Sequence, residues 1–217
     1  QFAAFSSNQL SALDGTDWQD LSTSLLRALG SAQLSLIAAD EIPFMRPGQI
    51  ALLSSNQLAG WNSEQIAALV TEQVAAFTPG ALKSLSTEQF AALNAEQVGA
   101  IGTAQIAALS SQQLQQLSTE EMQGLRADQI AALTCRQMGA FSTEQLQALD
   151  SDDIAALTAV QIDGLSTAQI QGFLPAALVG LETADILSLT LVQAHSLTSD
   201  QIALVSAAQL DALLSVS

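Results

Sequence analysis

The sequence predicts an all-α solenoid of very short helices, one per eight-residue repeat, stacked into a rod. Three observations predict it. Gln recurs at 49, 57, 65 and 73, at 89, 97, 105 and 113, at 129, 137 and 145, at 161 and 169, and at 193, 201 and 209, always in steps of eight or its multiples. Two large apolar residues hold fixed places in each octad, and a helix-capping residue opens most octads. Carried backwards, the ruler meets Gln33, Gln9 and Gln1 without an insertion or deletion. Self-similarity of this kind decides the fold before any local propensity does.

Numbering the octad from Ser6, position one reads Ser6, Asp14, Ser22, Ser54, Asn62, Thr78, Ser86, Asn94, Ser118, Thr134, Ser142 and Asp150. These side chains accept from backbone N–H groups two or three residues on, so position one is the N-cap. Position two is then the first helical residue. Pro47, Pro79 and Pro175 all fall there, where the missing N–H costs nothing; Pro43 is the exception. Position three carries Glu64, Glu72, Glu88, Glu96, Glu144 and Asp200, a solvated stripe that complements the positive end of each helix. Position four, the Gln column, closes a capping box and is expected to bridge between adjacent turns.

Position five runs Phe2, Leu10, Trp18, Leu26, Leu34, Ile42 and onward to Leu210, with Ala194 as its small member. Position eight runs Phe5, Leu13, Leu21, Leu29, Ile37, Met45 and onward to Leu213. Position seven is mostly Ala, Gly or Ser, which lets neighbouring backbones approach. Each helix is expected over positions two to eight. Alone it would melt, since isolated helices below about 12–15 residues are marginal. A buried Leu or Ile contributes about 1.5–3 kcal/mol, set against an ordering cost of about 1–2 kcal/mol per backbone residue. Stability therefore accumulates only by stacking.

Two rival geometries fit less well. In one continuous helix an octad turns the apolar stripe about 80° past two full turns, so the seam would wind around the rod. A β-solenoid needs β-branched residues where this chain has Ala, Gln, Glu and Leu. The whole of 1–217 reads as one continuous octad solenoid, and its ends inside the repeat suit a fragment or subunit of a longer array.

Composition narrows the function. Of 217 residues, 49% are apolar and 12% charged, and the formal charge is −16. Arg27, Arg46, Lys83, Arg126 and Arg136 stand singly. They cannot supply the basic footprint that phosphate neutralisation requires, so no nucleic-acid partner is expected. An anionic membrane surface would repel the chain, and no apolar run approaches the ~18 residues of a membrane span. Cys135 is the single cysteine, so no intrachain disulfide can form.

The residues that break the pattern are few. His195, the single histidine, lies at position six and reads as an exposed substitution rather than an acid–base group. Cys135 lies at position two with no second Cys or His beside it in the pattern. Asp40 and Glu41, Glu120 and Glu121, and Asp150, Asp152 and Asp153 cluster, but no calcium-loop spacing accompanies them. Residues 14–47 and 174–197 depart most from the consensus; the second stretch replaces caps with Leu174 and Glu182 and loses Gln at 177 and 185. No catalytic, cofactor-binding or metal-ligating residue is assigned, and no cofactor is expected.

Written as [ST]-[ST]-x-Q-[IL]-x-[AG]-[LF], as in Ser142–Leu149 and Ser166–Phe173, the octad resembles the short S-T-x-Q-I-x-A-L arrays of long secreted and cell-surface, adhesin-like proteins of Gram-negative bacteria. The resemblance covers nearly the whole chain. It implies an extracellular, structural role and carries over no catalytic or ligand residue. The expected function is a non-enzymatic filament, stalk or matrix rod that self-associates end to end or laterally. A peptide- or protein-binding scaffold is the alternative, with ice or surface binding behind it.

Overall fold

The computed structural model describes residues 6–216. Gln1, Phe2 and Phe5, which extend the octad columns backwards, lie outside the described residues. The chain falls into two compact units, the first running through Leu109 and the second beginning at Ser110. Each is an α-solenoid of short helices, and no described residue is in a strand.

In the first unit the helices Pro47–Ile50, Ser55–Leu58, Ser63–Ala67, Thr71–Ala76, Pro79–Lys83 and Thr87–Phe90 follow one another at the octad spacing. The residue before each is extended, as at Asn62 with φ −90° and ψ 173°. Asn62 Oδ1 accepts from Gln65 N at 2.8 Å, and Gln65 Oε1 accepts from Asn62 N at 2.9 Å. Ser86 and Gln89 repeat this exchange at 3.1 and 2.8 Å. Position one is thus the cap and position four the returning half of the box. Pro47 and Pro79 occupy the first turn.

The expectation of helix through position eight is corrected. The helices end at position five, six or seven, as in Ser55–Leu58, Ser63–Ala67 and Thr71–Ala76, apart from Ala207–Ser215, which continues through position eight. Position eight swings into the extended region, with ψ 141° at Phe77 and 134° at Leu29. This drops its side chain into the core and delivers the chain to the next extended cap. No described residue has a positive φ, so these corners need no left-handed glycine.

Two octads form 3-10 helices instead, Ala39–Phe44 and Ala177–Gly180. In the first, Ala38 offers no capping oxygen and Pro43 sits inside the helix without an N–H to donate. In the second, Pro175 lies in a turn that precedes the helix. Leu174 and Ala177 replace the cap and the Gln there.

Tertiary packing fixes what the sequence left open. Within the first unit, Pro47–Ile50 packs against Thr71–Ala76, and Ser31–Leu34 against Ser55–Leu58, each three octads apart. The Gln side chains reach backbone carbonyls 28 and 31 residues earlier, as Gln57 does at Leu29 and Leu26. One coil therefore takes about 28 residues, or three and a half octads. Positions five and eight from Leu26 to Ile106 form the core.

Position seven sets how close the coils come. A Cβ on Gly60 would lie 2.5 Å from Ser31 O, a backbone atom of the preceding coil. Gly48 and Gly80, at the outer start of their helices, have nothing within 4 Å of such a Cβ. Replacing Gly80 by Ala is accordingly expected to stabilise the first unit by about 0.4–1 kcal/mol, through the unfolded chain's lost freedom. Equilibrium urea unfolding checks it.

The second unit repeats the scheme, with helices such as Thr143–Gln147, Ser151–Ala155, Ala159–Asp163 and Thr167–Gly172. Thr143–Gln147 packs on Thr167–Gly172, and Ser151–Ala155 on the 3-10 helix Ala177–Gly180. Position seven is again tight: a Cβ on Gly172 would meet Thr143, and one on Gly180 would meet Ser151. Two anchors depart from expectation. Ile202 and Leu210, at position five, are 41% and 39% exposed. An anchor is covered by octads three and four further along, and no described octad lies that far beyond these two.

Candidate functional site

The element that recurs with fixed geometry is the Gln column. From Gln49 onward, glutamines of the column spend Oε1 on the N–H of their own cap and Nε2 on the preceding coil. Gln73 accepts from Val70 N at 2.9 Å and donates to Ile42 O and Met45 O, both at 2.7 Å. Gln89 donates to Leu58 O and Trp61 O, and Gln105 to Val74 O and Phe77 O. In the second unit Gln145 reaches Leu114 O and Leu117 O, and Gln161 reaches Ile130 O and Leu133 O at 2.7 Å. Gln169, Gln193 and Gln201 do the same at the same spacing. These amides are buried, so each bond is made where an unmade one would be expensive. The expected bridging by glutamine is what the structure shows.

The pattern-breaking residues occupy separate places. His195 is exposed and lines an apolar groove of about 210 Å³ with Ala194, Ile202, Leu210, Leu213, Leu214 and Val216. No carboxylate or thiol shares that groove. Cys135 is half-buried at the start of the helix Cys135–Met138. Its Sγ lies where a Cβ on Gly164 would come, 2.0 Å away, so Cys135 fills the space that a position-seven glycine leaves.

The acidic clusters act on backbone. Asp150 Oδ1 accepts from Asp152 N and Asp153 N, and Asp153 Oδ2 accepts from Asp150 N. Glu121 Oε2 accepts from Ser118 N at 2.7 Å. Burial raises Glu41 above the ordinary carboxylate range, helped by the charges of Asp40 and Asp14, and Glu41 Oε2 is buried without a hydrogen-bond partner. Asp128 is held below that range by the hydrogen bond from Arg126. Among the described residues no three His, Cys, Asp or Glu side chains converge as a metal site would require. No helix among them is long and apolar enough to cross a membrane.

One surface feature recurs. A cleft of about 350 Å³ is lined by Ala59, Trp61, Asn62, Ser63, Ser84, Ser86, Glu88 and Gln89. Another of about 440 Å³ in the second unit is lined by Gln115, Leu117, Ser118, Thr119, Ala140, Ser142, Glu144 and Gln145. Both use the same octad positions, where one cap junction faces the next coil's. Sequence reasoning missed these clefts, because they depend on a coil length that the octad does not state. It also missed the Trp61 indole, whose buried Nε1 has no partner.

No curated protein sequence matches the chain. The ALTTAQ repeat family model matches three overlapping stretches in tandem, residues 42–79, 74–103 and 98–135. Over residues 42–135 the chain is thus similar to a tandem array of ALTTAQ repeats, in keeping with the octads from which both units are built.

Proposed function

We propose that the protein is a non-enzymatic structural element, part of an extracellular filament, stalk or matrix rod of an adhesin-like, bacterial cell-surface kind, that self-associates end to end or laterally. The observation that carries this reading is the glutamine ladder. Every regular coil offers the next the same row of carbonyls and the same apolar anchors, and takes the same from the one before. Such an architecture has no built-in length limit and extends along its axis by adding equivalent coils. Exposed Ile202, Leu204, Leu210 and Leu214 add an apolar surface that association would cover, while the net charge of −16 opposes indiscriminate clumping.

Negative-stain electron microscopy with sedimentation velocity across a concentration series tests the proposal. Elongated particles that lengthen or thicken with concentration are expected. Compact monomers at every concentration would contradict it. A scaffold that binds an extended peptide is the second reading, favoured by the matching clefts at 59–89 and 115–145; recovery of one stoichiometric partner would favour it over the first.

A further inference from the structure

Position four of the second unit holds Gln in most octads, Ala at 177, and an acid at three places, Glu121, Asp153 and Asp185. These three follow one another at intervals of four octads, at the position whose glutamine elsewhere forms the seam between coils. In a Gln octad the side chain bonds the carbonyls 31 and 28 residues earlier. For Asp153 those are Met122 O and Leu125 O. Asp153 keeps the capping half of the role, accepting from Asp150 N at 3.1 Å. As a carboxylate it has no proton for the other half; among the described residues no side chain donates to Met122 O or Leu125 O, and Met122 O keeps the backbone N–H of Leu125.

Asp153 is nonetheless buried, at 8% exposure. Around it, Asp150 and Asp152 share its turn, Asp150 as the helix cap. The helix Ala127–Ala132, packed against its own, carries Asp128. The 3-10 helix Ala177–Gly180 brings no titratable group. Arg126, the one cation of these elements, is paired with Asp128 at 3.0 Å. Burial and the charges of Asp150 and Asp152 favour its neutral form, against the hydrogen bond from Asp150 N, which favours the ionised one.

We propose that Asp153 is a pH-dependent clasp between coils: protonated, it supplies the donor that glutamine supplies elsewhere, and ionised, it leaves that seam unbonded. Burial pushes the Asp153 carboxyl above the ordinary aspartate range, with Asp150 and Asp152 adding to the effect. The folded state therefore binds this proton more tightly than the unfolded chain does. Stability from the clasp is fully present below the unfolded-state value, near 4, and is lost as pH rises through the higher folded-state value. The second unit should tighten as pH falls from neutral toward about 4.5.

Asp153→Asn tests this, because it is isosteric, keeps an acceptor for Asp150 N and carries a permanent donor. Glu144→Gln, on the exposed position-three stripe, removes a charge outside the seam. Thermal unfolding at pH 7.5 and 4.5 should show the wild-type midpoint rising by about 3–6 °C on acidification. Asp153→Asn should melt higher than wild type at pH 7.5 and show a smaller rise, while Glu144→Gln keeps the wild-type rise. Hydrogen exchange of the wild type, corrected for intrinsic pH dependence, should show protection gained at 122–125 and 150–154 at the lower pH. An unchanged pH response in Asp153→Asn, or no gain of protection in those two segments, would overturn the proposal.

Discussion

Gln73→Leu is expected to destabilise the first unit by about 2–4 kcal/mol, read as a lower urea midpoint at unchanged slope. The side chain is fully buried, and its cap, Val70, has no oxygen of its own, so Gln73 Oε1 alone meets Val70 N. Leucine keeps the volume but orphans that N–H and the Met45 carbonyl, each worth about 1–3 kcal/mol. Ile42 O is spared, because Met45 N already donates to it. Gln9→Leu is the internal comparison. Gln9 is exposed and bonds only within its own octad, to Ser6, so its loss should cost less than about 1 kcal/mol. Gln73→Glu separates the two jobs: it preserves the acceptor, removes both donations and buries a charge. It should be destabilising at neutral pH and partly recover in acid, importing into the first unit the behaviour assigned to Asp153.

The second large effect concerns close approach. A Cβ on Gly180 would lie 2.0 Å from Ser151 O and 2.9 Å from Ser151 C. Both are backbone atoms of the coil beneath, so no side-chain rotation relieves the clash. Gly180→Ala is expected to cost the second unit about 1–3 kcal/mol by forcing the coils apart. Gly164→Ala should cost less, because its nearest obstacle is the Cys135 thiol, which can turn away. Urea unfolding of the two variants side by side gives the order; equal losses would mean that coil spacing is not the controlling quantity.

The sequence made much of this legible, and its limits have a physical cause. Ser86, Gln89, Phe90 and Leu93 could be assigned their jobs by period alone, because a cap, its return bond and two anchors are local requirements of a short helix. Coil length was not legible. It depends on how far the chain turns between positions seven and one, where Leu29 and Phe77 leave the helical region, and no residue type reports that angle. What followed from coil length stayed hidden with it: the matching clefts and the closeness of Gly180 to Ser151. The 3-10 helices at 39–44 and 177–180 lay in the two stretches that depart most from the consensus. The departures flagged irregularity without specifying which tighter turn would result. Asp153 shows the same division. Its capping role could be read from its place in the octad, whereas its burial could be read only from the coils on either side.

Glutamine side chains join each regular coil to the one before. The most direct measurement is NMR of the Gln73 side-chain amide, through its hydrogen-exchange rate and its through-space contacts. Slow exchange, with contacts to Ile42 and Met45, is the predicted result. Fast exchange at the rate of a solvated amide, or contacts confined to residues within one octad of Gln73, would contradict it.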